Sequence, residues 1–434
     1  MPTSPSDPTD AAPAEGTAQA APAAQAGATD PADLAVVGAG PAGLAAAVTA
    51  AELGLRVTLV DAGERPGGQF YRQPAPALGA ARPGALHHAW GEFVRREAAL
   101  RAQVRAGRIR YLAGHHVWSV VPAGAGWRLH ALVDDERPAV VEARCLLLAT
   151  GSYERQLPFP GWTLPGVVGA GGAQAMLKGG LVLPGRRVVV AGSGPLLLAV
   201  AGSLAAAGAE VPAVVEAASY LGYAGHLPDL LRNPGKLAEG AVHGGALVRR
   251  RIRLLTRHAV TEAHGTDRVE AVTVARLDRD WRPLPGTARR IPCDALAVGH
   301  GLVPQLELAT ALGCATRVAA DGTVALALDP EQRTSVPGVW SAGETGGIGG
   351  APLALVEGEL AARSVARSLG AAAPAGARLS RRRARLRAFA EVMGAAHRPG
   401  PGWDGWLTEE TVVCRCEEVP AGRIREATSA LGAG

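Results

Sequence analysis

The sequence has few cysteines and little net charge, and each shortage argues against particular classes of protein. Only five of its 434 residues are cysteine, an odd and scattered set that is not the disulfide framework of a small secreted domain. Cys145 and Cys293 lie in apolar runs outside any C-x-x-C pair, which argues against a disulfide reductase mechanism. The formal net charge of +5 argues against a dedicated nucleic-acid surface, where positive charge concentrates on one face.

Long apolar runs are also missing. No stretch of about 20 apolar residues is free of charge and glycine, so the sequence predicts no membrane span. The first 32 residues have neither a basic start nor the apolar segment of a signal peptide. Their richness in Ala, Pro, Thr and Asp predicts a disordered tail over residues 1–32. The cytoplasm is therefore the expected location.

A glycine-rich turn between a predicted strand, residues 34–37, and a predicted helix, residues 44–53, is the most informative feature. Its glycines have the G-x-G-x-x-G spacing of a dinucleotide-binding turn. Gly38 permits the tight turn, Gly40 lets the backbone approach a pyrophosphate, and Gly43 lets helix and strand pack closely. The free N–H groups at the start of the helix would point at the phosphates.

A second predicted strand, residues 56–60, ends at Asp61. An acidic residue in this place can accept hydrogen bonds from the hydroxyl groups of an adenosine ribose. A lone G-x-G-x-x-G is weak evidence, but here strand, helix, second strand and acidic end coincide. We therefore expect a dinucleotide site in this part of the chain.

A second unit of the same kind begins near residue 188. A strand over 188–191 leads into a turn with Gly192 and Gly194, and after a helix a strand over 211–215 ends at Glu216. A buried strand that runs into a glycine turn recurs between the units and after them. The sequence thus predicts an α/β fold of two Rossmann-like dinucleotide-binding lobes, with the second lobe inserted in the first.

The domain boundaries follow from this scheme. We expect a discontinuous FAD-binding domain over 33–160 and 293–370, and an NAD(P)-binding-like domain over 161–292. Residues 371–434 form a C-terminal extension that begins with a linker and a basic helix. The basic run Arg378–Arg387 is either a solvated helix face or a surface that docks against a partner protein.

Five further motifs accompany the first turn: Pro66–Arg72, Thr150–Gly161, Ala191–Leu198, Thr334–Gly350 and Val412–Val419. Together they resemble the flavoproteins with two dinucleotide-binding domains, of the glutathione- and thioredoxin-reductase type. Within that group the sequence is similar to the FAD/NAD(P)-binding subunits of heteromeric amine and imino-acid dehydrogenases. These include subunits of opine oxidase, hydrogen cyanide synthase and dye-linked proline dehydrogenase. The resemblance covers about residues 33–432.

The resemblance implies that FAD lies across the first lobe. Gly38, Gly40, Ala42 and Gly43 would then hold the pyrophosphate, and Asp61 the ribose. Other residues would line the rest of the site, close to the flavin or to the adenine: Gly68, Gln69, Val117, Thr150 and Gly151.

Gly343 and Glu344 would correspond to the Gly-Asp pair that binds the ribityl and phosphate region. This sequence has Glu where the family pattern has Asp. The longer side chain moves the carboxylate by over an ångström, so we expect a water-mediated contact in place of a direct one.

The second lobe departs from the pattern. Gly192 and Gly194 match, but Leu197 stands at the third glycine position, so helix and strand cannot approach as closely. Glu216 would suit an unphosphorylated ribose and disfavour a 2′-phosphate. In the resembled group this lobe holds NAD, another adenine nucleotide or no known ligand, and these alternatives stay open.

Cys414 and Cys416 match the start of a C-x-C…C-x-x-C pattern that holds a 2Fe-2S cluster in related chains. Such a cluster needs four thiolates. The family's second pair follows after about 30 residues, and residues 417–434 contain no cysteine. Either the chain is truncated or the module is incomplete, so we expect neither a cluster nor another metal in the sequence as it stands.

The catalytic residues stay unknown, because the sequence shows no clear nucleophile or general base. His300, between two glycines, is a candidate base, although a hydrogen-bonded loop histidine is the simpler interpretation. The resemblance implies an FAD-dependent oxidoreductase subunit that relays electrons between a small partner flavoprotein dehydrogenase and an acceptor, in a hetero-oligomer with or without a small ferredoxin-like protein. One alternative is a stand-alone NAD(P)H-dependent flavoprotein reductase. The other is a non-catalytic, nucleotide-bound structural subunit.

Overall fold

The computed structural model describes residues 31–87, 89–220, 223, 232–374 and 376–432. The tail expected over residues 1–32 lies outside the described residues, except for its last two. Apolar strands alternate with helices from Ala32 onward, as the two predicted βαβ units require. None of the helices in these ranges is long and apolar enough to cross a membrane.

The first lobe contains six strands and two helices before the chain leaves it. Their bounds are β1 Ala32–Val37, α1 Pro41–Glu52, β2 Val57–Val60, α2 Trp90–Arg105, β3 Ile109–Leu112, β4 His115–Ala123, β5 Gly126–Val133 and β6 Arg137–Leu148.

The second lobe follows, entered through a short strand. The bounds are β7 Ser152–Glu154, β8 Val167–Gly169, α3 Ala170–Gly180, β9 Val188–Gly192, α4 Leu196–Ala206, β10 Ala213–Glu216, α5 Pro234–Arg249, β11 Arg253–Thr256, β12 His258–His264, β13 Ala271–Arg276, β14 Arg289–Pro292 and β15 Ala295–Gly299.

The chain then returns to the first lobe and ends in the extension. The bounds are β16 Leu302–Pro304, α6 Glu307–Ala311, β17 Thr316–Val318, β18 Val324–Leu326, β19 Val339–Ser341, α7 Ala351–Ser368, α8 Ala377–Ala396, β20 Val412–Cys414, β21 Val419–Pro420 and α9 Ala421–Ala430.

The two lobes share one plan. In the first, β3, β2, β1, β6 and β19 are parallel neighbours, and β4 and β5 extend β6 as an antiparallel meander. In the second, β11, β10, β9, β15 and β8 form a five-stranded parallel sheet, and β12, β13 and β14 form a separate antiparallel sheet. The predicted fold class is confirmed.

Insertion of the second lobe is visible in the strand order, because β19 returns to β6 after the whole second lobe. The two strands that cross between the lobes, β7 and β16, pair with each other antiparallel. One predicted boundary needs correction: Ala295–Gly299, assigned to the FAD-binding domain, pairs with β9 and β8 in the second sheet. An apolar strand that ends in glycine looks the same in either lobe, so its pattern alone does not assign it to a sheet.

The cores sit on both faces of each sheet. In the first lobe α1 and α7 pack together against one face, where small residues of α1 are fully buried. The residues of α4 that face β9 are apolar, and Leu197 at the third glycine position is 1 % exposed among them. Burial of this apolar surface is the main force that holds each lobe together.

Candidate dinucleotide-binding site

The first glycine turn has no room for side chains at two of its three glycines. Gly38 has a φ of +102°, and a Cβ there would lie 2.3 Å from the carbonyl oxygen of Ala149. A Cβ on Gly43 would lie 1.7 Å from the carbonyl oxygen of Gly38. These two glycines therefore allow β1, β6 and α1 to meet at the turn.

Gly40 differs, because the space beside it is open. A Cβ on Gly40 would meet no atom closer than the Cα of Gly68, at 4.0 Å. Within the described residues the N–H groups of Gly40 and Ala42 have no hydrogen-bond partner. They lie at the N-terminus of the 12-residue helix α1, where the helix dipole favours an anion.

Asp61 lies beside this turn at the end of β2. Its carboxylate accepts hydrogen bonds from the N–H of Ala39 and, at 2.7 Å, from the N–H of Gly63. Burial raises the pKa of Asp61 above its ordinary value, and the two hydrogen bonds oppose that effect. The side chain is half-buried and faces a cavity, so it remains accessible to a ligand.

A cavity of about 1940 Å³ runs from the first glycine turn to the second lobe. It is larger than the roughly 300–1,000 Å³ that is usual for small-molecule sites, as a ligand with two nucleotide halves requires. The structure brings together on its wall most of the residues that the sequence indicates: Gly38, Gly40, Ala42, Asp61, Gly68, Gln69, Val117, Thr150, Gly151, Gly194, Gly343 and Glu344.

Gly43, Gly192 and Glu216 are outside that wall. For Gly43 this agrees with a packing role. A Cβ on Gly192 would lie 1.7 Å from the carbonyl oxygen of Gly299, so this glycine also serves packing.

Several wall residues are fixed by contacts within the first lobe. Gly68, with a φ of +58°, packs so closely on Gly40 that a Cβ would lie 2.8 Å from its Cα. The guanidinium of Arg72 donates to Gln69 Oε1 at 2.6 and 3.1 Å. Thr150 donates its hydroxyl proton to the carbonyl oxygen of Gln305, at 2.9 Å.

Trp118 is a wall residue that the sequence did not reveal. It follows Val117, at an irregularity in the pairing of β4 with β5, and its side chain is 61 % exposed at the cavity. No pattern in the sequence distinguishes this tryptophan from the others.

Glu344 is held by the start of α7. Its two carboxylate oxygens accept hydrogen bonds from the N–H groups of Gly349, at 2.8 Å, and Gly350, at 2.9 Å. Removal from water raises the pKa of Glu344 above its ordinary value. The carboxylate thus occupies the N-terminus of α7, which the sequence did not predict, and a water-mediated contact with the ribityl region stays a prediction.

A second carboxylate, Glu357 on α7, lies behind Gly343 with no exposed surface. It accepts from the N–H of Gly343 at 3.2 Å and pairs with Arg383 at 3.1 Å and Arg387 at 2.7 Å. Arg387 also donates to the carbonyl oxygen of Gly347 at 2.7 Å. The run Arg378–Arg387 therefore has two sides. Its other four arginines are exposed, as a solvated face requires, whereas Arg383 and Arg387 point inward. Docking of the exposed side against a partner protein stays a prediction.

In the second glycine turn the acidic residue, Glu216, is buried and does not face the cavity. Glu216 accepts from the N–H of Gly194 at 3.0 Å and from that of Ala218 at 2.9 Å. It is 1 % exposed and does not reach the cavity, although Gly194 does. Glu216 is therefore not presented to a ligand, contrary to its expected role, because its carboxylate satisfies buried backbone donors.

His300 does not have the surroundings of a general base. Its ring is 3 % exposed and lies 6.2 Å from the ring of Trp281 and 6.0 Å from that of Trp406. No hydrogen bond reaches the ring within the described ranges. Burial, reinforced by the charge of Arg155, lowers the pKa of His300 to about 3, so the imidazole is neutral.

Cys414 ends β20 and is partly exposed, and Cys416 follows the strand and is exposed; both are free thiols. The indole of Trp162 donates to the carbonyl oxygen of Val412 at 2.6 Å, which attaches this hairpin to the second lobe. Among the residues that can be described, no three His, Cys, Asp or Glu side chains cluster in a way that could hold a metal ion.

Comparison with known proteins adds the family. Residues 32–358 match the model of the pyridine nucleotide-disulphide oxidoreductases. Hydrogen cyanide synthase subunit HcnB of Pseudomonas aeruginosa is 38 % identical over 90 % of this chain and 84 % of its own length. An opine oxidase subunit of Agrobacterium tumefaciens is 32 % identical over 92 % of this chain and 79 % of its own length.

Solved structures agree on the fold. The L-proline dehydrogenase of P. horikoshii superposes with a TM-score of 0.61 at 18 % identity, over 92 % of this chain and 66 % of its own. The thioredoxin reductase of T. acidophilum gives 0.58 at 22 % identity, over 78 % of this chain and 99 % of its own.

Proposed function

The chain belongs to the pyridine nucleotide-disulphide oxidoreductase family and is an FAD-dependent oxidoreductase, and from this premise we propose that it is the electron-relaying subunit of an amine or imino-acid dehydrogenase. One observation carries the proposal. At the first glycine turn, two backbone N–H groups without a partner among the described residues and the Asp61 carboxylate line a cavity of about 1940 Å³. The family match and the turn geometry thus point to the same lobe.

The residues around the first turn fit FAD. The N–H groups of Gly40 and Ala42 would bind the pyrophosphate, and Asp61 would accept hydrogen bonds from the ribose. Gly40 leaves open the space that a close backbone approach needs. When bound, the flavin supplies the oxidation–reduction chemistry, and the protein binds it, orients it and limits its contact with water.

The side chains on the cavity wall favour a role as a subunit of a larger enzyme. The hydroxyl of Ser193 lies 3.3 Å from Nδ1 of His397 on the cavity wall, but both residues belong to the second turn and its cover and not to the first lobe. His300 is neutral and packed against tryptophans. Two of the relatives are named as subunits of larger enzymes. We therefore assign oxidation of the C–N bond to a partner flavoprotein. The two electrons removed from the substrate would then pass from that partner through this chain to an acceptor. A small ferredoxin-like protein is a further candidate partner, and the cytoplasm stays the expected location.

The test separates the relay from independent catalysis. The purified chain should be yellow, release FAD on denaturation, and oxidise neither proline nor an opine on its own. Adding a small flavoprotein dehydrogenase as the partner subunit should restore amine-dependent reduction of a dye. Rapid turnover of these substrates by the isolated chain would contradict the division of labour, and a chain that takes up no FAD would overturn the whole proposal.

A stand-alone NAD(P)H-dependent reductase is the second candidate, since the cavity reaches Ser193 and Gly194 in the second turn. Rapid mixing with NADH or NADPH distinguishes the two: fast bleaching of the flavin supports the reductase, and its absence with both supports the relay. The remaining alternative is a structural role. In that case an Asp61→Ala variant would lose FAD while the assembled complex kept full activity.

A further inference from the structure

The acid of the second glycine turn is covered by the chain's own C-terminal extension. Glu216 is 1 % exposed, and His397, directly after α8, packs onto it with 9 % exposure. Nδ1 of His397 lies 3.5 Å from Glu216 Oε1 and 3.3 Å from the hydroxyl oxygen of Ser193. Nε2 lies 2.5 Å from the hydroxyl oxygen of Tyr223. One imidazole thus contacts the acid, the turn and a cavity-lining tyrosine.

His397 is held in this position from both sides. On one side, Arg383 and Arg387 of α8 pair with the buried Glu357 of the first lobe. On the other side, the indole of Trp406 donates to the carbonyl oxygen of Trp281 at 2.9 Å, and the two rings stack 6.1 Å apart. The contact at Glu216 is therefore one of several contacts by which the C-terminal extension joins the two lobes.

The second turn also offers fewer backbone donors than the first. The N–H of Ser193 donates to the carbonyl oxygen of Gly299, and that of Gly194 donates to Glu216. Both turns then have a proline, Pro41 or Pro195, which has no N–H. The N–H of Leu197 is bonded to the carbonyl oxygen of Gly194, and among the described residues that of Leu196, which corresponds to Ala42, has no partner. In the first turn the N–H group of Gly40, which corresponds to Gly194, stays unpaired.

These contacts do not fit a nicotinamide dinucleotide bound in the usual way, which requires the acid for the adenine ribose and the turn amides for the pyrophosphate. We infer that the C-terminal extension closes the second site, and that His397 occupies the place of an adenine ribose. Withdrawal of His397 would uncover a site for an adenine nucleotide without a 2′-phosphate. The inference does not depend on the proposed electron relay, which needs only the first lobe.

The test measures binding of NAD⁺ to the FAD-loaded full-length protein by isothermal titration calorimetry. We expect no saturable binding to wild type at millimolar NAD⁺, and at least a tenfold gain in affinity for His397→Ala. His264→Ala is the matched control, because it removes an imidazole of the second lobe that makes a hydrogen bond elsewhere, 2.6 Å from the hydroxyl oxygen of Thr273. This control should bind NAD⁺ no better than wild type.

The double variant His397→Ala with Glu216→Gln shows whether the uncovered acid is the recognition element. It should lose most of the gained affinity, since an amide replaces one acceptor oxygen with a donor. Tight binding by wild type, no gain in His397→Ala, or a gain that survives Glu216→Gln would each overturn the inference.

Hydrogen exchange on the wild-type protein tests the closure without any substitution. Peptides that contain Gly194 and His397 should be protected, and millimolar NAD⁺ should leave their exchange unchanged. Added protection by NAD⁺ at Gly194 would show an open site and refute the inference. FAD content, measured on each sample, is the separate readout for the proposed function.

Discussion

Replacing Gly40 by alanine should separate the fold of the first glycine turn from its ligand-binding role. Gly40 has a φ of −69°, which every residue tolerates, and an added Cβ would lie 4.0 Å from its nearest neighbour. The apoprotein therefore accommodates the methyl group without strain. The same methyl would enter the cavity beside the unpaired N–H groups of Gly40 and Ala42.

The expected loss follows from the hydrogen bonds that the methyl group displaces. A hydrogen bond to a charged group contributes about 1.5–3 kcal/mol. Since about 1.4 kcal/mol is a factor of ten, loss of one bond to the pyrophosphate weakens FAD binding about tenfold, and loss of both about 100-fold or more. The free energy of unfolding of the apoprotein should instead rise by about 0.4–1 kcal/mol, because alanine restricts the unfolded chain.

Fluorescence titration of the apoprotein with FAD gives the affinity, and urea unfolding gives the stability. Gly172→Ala is the matched control, since Gly172 lines the same cavity from α3 and a Cβ there would meet nothing within 4 Å. It should keep the wild-type affinity for FAD. If Gly40→Ala binds FAD as tightly as Gly172→Ala does, the assignment of the pyrophosphate to the first turn is refuted.

Three further predictions follow from single contacts. Acidification should weaken FAD binding at a pH above the ordinary pKa of aspartate, 3.8, because the pKa of Asp61 is raised and its carboxylate takes up a proton at that higher pH. The Asp61→Asn variant should lose this pH dependence in the same titration. A steep pH dependence in the variant would contradict the prediction. The raised pKa of Asp61 also affects stability, because the folded state binds the proton more tightly than the unfolded chain does. The contribution of Asp61 to the free energy of unfolding is therefore present at low pH and is lost as the pH rises through the pKa of Asp61 in the folded state. Gly43→Ala should destabilise the apoprotein by about 3 kcal/mol in urea unfolding, since its Cβ would lie 1.7 Å from a carbonyl oxygen; a variant more stable than wild type, as helix propensity alone predicts, would count against this packing. Trp406→Ala should cost about 3–5 kcal/mol and make the extension sensitive to proteolysis, and an unchanged cleavage pattern would exclude its role as an anchor.

The first turn and the two-lobe fold could be predicted because their requirements are local. A strand, a tight glycine turn and a helix with small residues follow one another within about 20 residues, and Asp61 lies one strand further on. The same pattern recurs near residue 188, so the second lobe could be predicted from the sequence as well. Parallel pairing of β1 with β2 and of β9 with β10 follows from the helix that connects each pair.

The surroundings of the second turn could not be predicted, because they depend on residues that are distant in the sequence. Nothing near Glu216 indicates that His397 lies against it, and nothing near Arg387 indicates that Glu357 is its partner. The assignment of Ala295–Gly299 to the wrong lobe has the same origin. Its apolar pattern indicates a buried strand, and only the pairing with β9 identifies the sheet.

The two acids nevertheless occupy the same place in their sheets, and one methylene group accounts for their different partners. Val37 pairs with Val60, so Asp61 lies opposite Gly38, and Glu216 pairs directly with Gly192. Each carboxylate also accepts from the N–H two residues further along its own chain. The shorter aspartate reaches the second residue of the turn, Ala39, whereas the longer glutamate reaches the third, Gly194. The N–H that has no partner in the first turn, that of Gly40, therefore has a partner in the second turn, where Gly194 donates to Glu216. This difference supports our inference that a phosphate group binds at the first turn and that the C-terminal extension covers the second.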